Sequence, residues 1–416
     1  VPHEGPEPGA VSDPDRPFRN VVAQAAKLTV GRGLSAGLAI PRMALVAQVF
    51  GVAAFGRYSV LQAYGMLGVV LIEFGMKTVG PRRAAQEPGT ATSLVGQIAG
   101  LQVLAALGVT ALAQLTGLLG LAEAAFLLSF FLAPSITSAA VVRRGLGDAG
   151  LEARLETALS IARIAPLLLA LVVPLGLDAV YVGTLLATLA VVPVAGFSRL
   201  HRPVRRGWGS LLREGAPLVV AAAASQLFAR VDLVILGWFH PDEEVAVYSA
   251  ASLTLLVLAL GAAALAQAAV PWFTALRAQT STAQMLGTAA RRSWGIVGLT
   301  AAAAAATAVV AGPGLDLFVG IRPPAGVLIP VVASAAPAAG AYWLFMALAS
   351  AERSRAFVWA VGAALTVNVA LDLLVIPAFA SAGAASATLA SEMLLYLCVL
   401  LAIARVRRRD DGEVRP

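Results

Sequence analysis

Charge is scarce in this chain. Only 13% of its 416 residues are charged, against about 25% in a soluble domain. Lysine occurs twice, at Lys27 and Lys77, and cysteine once, at Cys398. A single cysteine excludes an intrachain disulfide and any cysteine-based metal cluster. His3, His201 and His240 are scattered, and no HExxH, Walker A or GxSxG pattern occurs, so neither hydrolytic metal chemistry nor nucleotide use is indicated. No cofactor or metal is expected.

What the chain has in abundance is apolar length. Hydrophobic residues make up 59%, and the mean hydropathy is +0.83. A bilayer is crossed by about 20 apolar residues. Twelve runs of that kind fall near 21–49, 58–80, 94–115, 120–142, 155–174, 178–198, 214–239, 246–273, 293–312, 326–350, 356–377 and 382–404. The predicted fold is all-α: a polytopic membrane protein with short connections and no sizeable extramembrane domain. Residues 1–20 hold five prolines and no apolar run, which predicts a disordered tail. No short apolar stretch with a cleavage site precedes the first span, so a cleavable signal peptide is not expected.

The basic residues order the spans. Arg82 and Arg83, Arg143, Arg144 and Arg154, the stretch from Arg199 to Arg213, Arg277 to Arg292, Arg353 and Arg355, and the tail from Arg405 to Arg409 all fall on one side. The other side offers Arg57 and Arg322 beside Asp242, Glu243 and Glu244. Basic loops mark the cytoplasmic face, so both termini are predicted cytoplasmic, and a net charge of +7 is read as a topology signal, not a nucleic-acid footprint.

The spans repeat. Tyr58-Ser59 to Pro81 has the spacing of Tyr248-Ser249 to Pro271, and Gly183-Thr-Leu-Leu-Ala-Thr-Leu-Ala190 echoes Gly383-Ala-Ala-Ser-Ala-Thr-Leu-Ala390. Matches six spans apart predict two pseudo-symmetric six-helix lobes: 21–199 and 214–405, joined by a basic linker over 200–213 and followed by a tail over 406–416. Gly33–Gly37 and Gly183–Ala187 allow close helix packing. Pro41, Pro134 and Pro166 are candidate kinks.

Four segments carry a resemblance: Phe55-Gly-Arg-Tyr-Ser59; Phe74-Gly-Met-Lys-Thr-Val-Gly-Pro-Arg-Arg-Ala-Ala85; Phe228-Ala-Arg-Val-Asp-Leu-Val-Ile-Leu-Gly237 with Val247-Tyr-Ser-Ala-Ala251; and Asn368-Val-Ala-Leu-Asp-Leu-Leu-Val-Ile-Pro377 with Ala382-Gly-Ala-Ala-Ser-Ala-Thr388. Over roughly residues 20–405 the chain resembles the polysaccharide exporters of the flippase superfamily that also contains the MATE drug exporters. The resemblance implies two lobes that rock between inward- and outward-open states. It also implies a bacterial inner-membrane protein that moves undecaprenyl-diphosphate-linked oligosaccharide, with membrane lipids, a polysaccharide polymerase and glycosyltransferases as partners. Related peptidoglycan-precursor flippases usually have two further spans, so an O-antigen, capsule or exopolysaccharide substrate is favoured.

Ions within spans are the candidate site residues, because a charge at mid-bilayer is costly unless it faces water, a partner or a ligand. Lys27, Arg32, Arg42, Arg163 and Arg230 are the candidate substrate-binding cations, since arginine grips phosphate oxygens in bidentate fashion. Lys27 and Arg42 lie about 60° apart on an ideal helix, and Arg42 and Arg230 occupy similar places in the two lobes. The bland alternatives are snorkelling for Lys27 and Arg42, an ion pair for Arg32, and pairing of Arg230 with Asp232 and of Arg163 with Glu156. Asp232, Glu73, Asp372 and Glu392 are the candidate groups for coupling to H⁺ or Na⁺, or else neutralise buried arginines. A MATE-type H⁺- or Na⁺-coupled drug or metabolite exporter is the second reading. A membrane polymerase or ligase would need a large outer loop that is lacking, and a non-transporting scaffold is the remaining alternative.

Overall fold

The computed structural model describes residues 37–117, 119–148, 150–193 and 207–413. The expected tail over 1–20, Lys27 and Arg32 lie outside the described residues, as does the first half of the linker, 200–206. All regular structure among the described residues is helical.

Helix α1 (Gly37–Phe50) ends at Gly51, whose φ of 89° suits a residue without a Cβ. Helix α2 (Val52–Glu73) follows at once. It stops at Phe74 and Gly75, two successive left-handed residues, and α3 (Met76–Gln86) completes the span. The first lobe continues through α4 (Ala91–Leu115), α5 (Leu121–Gly145), α6 (Gly150–Ala170) and α7 (Leu177–Leu189). In the second lobe α8 (Trp208–Phe228) begins inside the expected linker and meets α9 (Val231–Phe239) at a 53° bend. Then come α10 (Asp242–Ala268), α11 (Val270–Gln279), α12 (Thr282–Val319), α13 (Ala325–Ser350) and α14 (Ser354–Glu413), the last broken at Ala380, where φ is 50°. Ser281 starts α12 with a capping box, accepting from Gln284 N at 3.2 Å, and Gly320 ends it in the left-handed conformation.

Seven of these helices, or merged pairs, are long and apolar enough to cross a membrane, and the α8–α9 pair makes an eighth. α1 and α7 are apolar but shorter. α6 has the length but carries Glu152, Arg154, Glu156 and Arg163, and the break at Ala380 divides α14. All twelve runs read from hydropathy therefore have a helix. α5 and α6 run without interruption through Pro134 and Pro166, whereas the sharp bend at Ala229–Arg230 contains no proline.

Packing distinguishes the two ends of the bundle. At the end holding Gly51 and Gly320, one continuous core joins both lobes, from Met43, Phe55, Tyr58 and Phe126 to Ile235, Val245, Leu328 and Ile376. The backbones nearly touch there: a Cβ added to Gly56 would lie 1.7 Å from the Asp242 carbonyl oxygen. Gln48 donates to the Phe318 carbonyl at 2.6 Å, and Trp238 Nε1 donates to the Tyr64 hydroxyl at 2.9 Å. Toward the basic end the core divides into smaller clusters, one in each lobe and a third in which Leu211 of α8 packs against Met76, Val79 and Ile98 of the first lobe. A cleft of about 360 Å³ separates α2 and α3 from α8, α13 and α14, lined by Val70, Glu73, Lys77, Leu218, Phe345 and Phe357. Below it the lobes touch again where Arg82 and Arg83 both pair with Glu214. Glu214 sits four residues before the apolar part of α8, which begins at Leu218, rather than within the span as the 214–239 run implied, and the hydrogen bond from Arg83, helped by that from Arg82, holds its carboxyl below the usual range.

Candidate functional site

Two clusters of in-span polar groups occupy matching places in the two lobes, with opposite charge. In the second lobe the bend between α8 and α9 positions the cluster. Arg230 is the residue before α9, with φ of −143°, and so lies outside regular helix. Helical spacing therefore does not keep its charge from Asp232, two residues on, and the two interact electrostatically. Asp232 stands in the first turn of α9, where a helix dipole favours negative charge. Its Oδ1 accepts from Leu233 N at 2.7 Å, and its Oδ2 accepts from the Tyr248 hydroxyl and, at 3.1 Å, from Thr388.

The two halves of α14 bring the other members. Asp372 is fully buried, and neither of its carboxylate oxygens has a hydrogen-bond partner among the described residues. Asp372 and Glu392 both lie within electrostatic reach of Asp232. Asn368 donates to Ser391 at 3.1 Å and leaves its own carbonyl oxygen buried and unpartnered. No three of His, Cys, Asp and Glu among the described residues are arranged to hold a metal ion. The cluster nevertheless presents oxygens without donors, and buried carboxylates in that condition call for a proton or a cation.

Glu73 is elsewhere. It forms an i,i+4 ion pair with Lys77 at 3.1 Å on the wall of the cleft. Three of the four candidate carboxylates thus gather, and the fourth does not.

In the first lobe Arg42 is 6% exposed, which is not a snorkelling geometry, and its Nη2 donates to Gln62 Oε1 at 3.1 Å. Arg163, on α6, lies with its guanidinium 4.2 Å above the Phe130 ring, within electrostatic reach of Arg42 and Tyr58. Tyr58, Phe126 and Tyr181 stack beside them. Arg42 is thus within electrostatic reach of Arg163, while Arg230 has Asp232 and Tyr248 about it.

Sequence reasoning missed Tyr248, Thr388, Gln62 and Asn368 as partners of these charges. The signal was there for two of them: Tyr58 and Tyr248 mark the repeat, and Thr188 and Thr388 end its second motif.

The fold has known counterparts. The chain superposes on lipid II flippase MurJ in an inward closed conformation with a TM-score of 0.75 at 14% identity, over 91% of this chain and 87% of that one. It matches the Vibrio cholerae MATE transporter VcmN, in the bent form, with a TM-score of 0.61 at 15% identity, over 95% and 98%. A Pyrococcus furiosus MOP superfamily transporter, described as having a binding pocket of reversed polarity, matches at 0.56 and 14% identity, over 94% and 96%. No curated protein sequence matches. The multi-pass, all-α architecture read from hydropathy is thus the fold of the superfamily that the sequence resembles. Residues 21–277, more than half of the chain, match the family described as polysaccharide biosynthesis protein, and the chain belongs to that family.

Proposed function

We propose that this protein is a flippase that carries undecaprenyl-diphosphate-linked oligosaccharide from the cytoplasmic to the outer leaflet of a bacterial inner membrane. Family membership over residues 21–277 supports the polysaccharide setting. The observation that carries the transport reading is the asymmetry of packing: one end is sealed by a shared core, while toward the other a cleft parts the lobes. That is one state of an alternating-access cycle. The basic end faces the cytoplasm in this reading, so the sugar head is received from the side where it is made, and both termini lie there too.

A diphosphate cannot cross hydrocarbon unaccompanied. Lys27, Arg32 and Arg230 are its proposed contacts, with Arg42 and Arg163 adding positive potential from the first lobe. Asp232, Asp372 and Glu392 are the proposed coupling groups, binding Na⁺ or H⁺; Glu73, tied to Lys77, acts at the cleft wall instead. No step requires the protein to make or break a covalent bond. A polymerase and glycosyltransferases would supply and consume the substrate.

One observation favours the second reading, a MATE-type cation-coupled exporter: the buried acidic cluster itself, on a fold shared with VcmN. Reconstituted vesicles separate the two. Movement of a fluorescent polyprenyl-diphosphate oligosaccharide to the far leaflet supports the flippase. Failure to move it, with cation-driven efflux of organic cations, supports the exporter.

A further inference from the structure

Arg82 and Arg83 of the first lobe meet at a single carboxylate of the second. Arg83 holds Glu214 side-on, its Nε donating to Oε2 at 3.4 Å and its Nη2 to Oε1, and Arg82 Nη2 donates to Oε2 at 2.7 Å. Two positive charges thus converge on one negative charge. The neighbouring cations are already balanced: Lys77 pairs with Glu73 at 3.1 Å and Arg144 with Glu152 at 2.8 Å. Glu87, just past the end of α3, is exposed, and among the described residues Glu214 is the only carboxylate paired with Arg82 or Arg83. One positive charge is left over at this junction.

The two sides of the junction are mounted differently. Pro81 has no N–H, which leaves the Lys77 carbonyl without its helical donor, and Arg144 of α5 donates to it instead. Gly145 admits α3 against α5 so closely that a Cβ there would lie 2.2 Å from the Pro81 carbonyl oxygen. The arginines therefore stand on a segment clamped to the rest of the first lobe. Glu214 stands in the second turn of α8. Leu211, one turn earlier, is buried in the cluster of Met76, Val79 and Ile98 and seats α8 independently of the ion pairs, so the carboxylate can leave the arginines while the helix stays in place. The side chains of Arg82 and Glu214 are 57% and 32% exposed, and an anion arriving at the basic end reaches both.

We propose that Arg82 and Arg83 receive the diphosphate of the cargo at the foot of the cleft, and that Glu214 is the counter-ion this diphosphate displaces. The proposal rests on the flippase reading for the identity of its cargo. A diphosphate esterified at both ends carries one negative charge on each phosphorus, which matches the two guanidiniums where Glu214 leaves one of them unbalanced. It also presents more acceptor oxygens than a carboxylate does, and arginine's fork suits phosphate. Basic residues that served only to set topology would need neither to converge on one carboxylate nor to be clamped from beneath.

The test titrates a polyprenyl-diphosphate oligosaccharide into the full chain in phosphatidylcholine nanodiscs and reads Kd from tryptophan fluorescence. The matching polyprenol and inorganic pyrophosphate are titrated alongside. Glu214→Gln removes the internal competitor and is expected to tighten binding of the diphosphate lipid about threefold to tenfold. Arg82→Gln combined with Arg83→Gln is expected to weaken it roughly tenfold or more. Arg82→Lys with Arg83→Lys keeps the charge, serves if the glutamine pair does not fold, and should weaken binding less. The polyprenol should not distinguish the variants. The opposite signs separate displacement from bracing, because a junction that only braces the fold shifts binding in the same direction whichever side is cut. Binding in Glu214→Gln no tighter than in wild type overturns the proposal, and so does undiminished binding in the arginine variants; if wild type still binds and moves the lipid, the flippase reading stands. Pyrophosphate that binds with the expected pattern while the lipid does not bind keeps the site for a free diphosphate and ends the flippase reading. Binding of neither overturns both.

Discussion

Gly56→Ala probes whether the sealed end must open during the cycle. Gly56 lies near the start of α2 and meets the N-terminus of α10 in the opposite lobe. A Cβ there would sit 1.7 Å from the Asp242 carbonyl oxygen, 2.6 Å from its carbonyl carbon and 3.1 Å from its Cα. Ordinary contact requires a retreat of more than 1 Å, and the obstacle is backbone, which cannot rotate aside. Overpacking costs about 1–3 kcal/mol where side chains can adjust, so the upper end, about 3 kcal/mol, applies here. The cost falls only on the state with this end closed. At about 1.4 kcal/mol per factor of ten, the closed-to-open ratio at this end should drop roughly 100-fold. The assay is chemical cross-linking of Gln48→Cys to Phe318→Cys, in a Cys398→Ser background, with a short bifunctional thiol reagent. These positions already meet, at 2.6 Å from Gln48 Nε2 to the Phe318 carbonyl. Adding Gly56→Ala should slow the cross-linking and lower its yield below the parent's. Gly314→Ala on α12, where a Cβ meets nothing within 4 Å, should not change it. Parental cross-linking in the Gly56→Ala variant, with an unchanged melting curve, would refute the argument that this seam is a closed gate.

Arg230→Ala and Arg32→Ala should each abolish surface polysaccharide in a strain lacking its own exporter while the protein still accumulates in the membrane; immunoblots and sugar staining read the two. Asp232→Asn should remove the dependence of transport on Na⁺ or proton gradients, measured by collapsing each gradient in vesicles, because Asp232 collects the donors of Tyr248 and Thr388. Tyr248→Phe, which removes one of those donors, should weaken ion dependence less. The Glu214 latch carries a pH prediction. Its carboxyl is held below its ordinary value, so its contribution is complete above the unfolded carboxylate pKa of about 4.3 and is lost as pH falls through the lowered folded value. Glu214→Gln should therefore lower Tm at pH 7, by a small amount that high salt screens, and the difference from wild type should shrink on acidification.

Much of the fold was legible because a membrane span is a composition as much as a pattern. Each apolar run needs only length to be recognised, and the repeat of Tyr58 to Pro81 in Tyr248 to Pro271 announces two lobes. The breaks were less legible. Proline pointed to Pro134 and Pro166, yet α5 and α6 pass through both, since neighbouring helices and side chains can satisfy a freed carbonyl within a membrane bundle. The interruptions fall at Phe74–Gly75 and at Ala229–Arg230, where tertiary contacts decide. Gly215 of α8, for instance, has no room for a Cβ, which would lie 2.3 Å from the Phe74 carbonyl oxygen. The acids in spans were visible as anomalies, but their grouping depends on how α9 and the two halves of α14 converge. For Glu73 the sequence held the answer: Lys77 is one helical turn away.

The two ends of the bundle are held by forces of different kind, and this sets how a cargo could drive the cycle. At the Gly51 end, burial of large side chains such as Phe55, Tyr58 and Phe126 contributes roughly 1.5–3 kcal/mol for each aliphatic or aromatic group removed from water. That term survives changes of salt. At the basic end the lobes are joined by the partly exposed ion pairs of Arg82 and Arg83 with Glu214, worth about 0–1 kcal/mol each and screened by ions, and by a smaller apolar contact of Leu211 and Leu218 with Met76 and Ile98. The Gly51 end, with its larger shared core, is therefore the more strongly held of the two. Charge alone, arriving at the weak end, cannot undo the strong one. A ligand shifts such an equilibrium only by its preference for one state over the other. The cargo must therefore make contacts in the state open at the Gly51 end that it lacks in the state described here, and Arg230, at the bend where α8 meets α9, is placed to provide one.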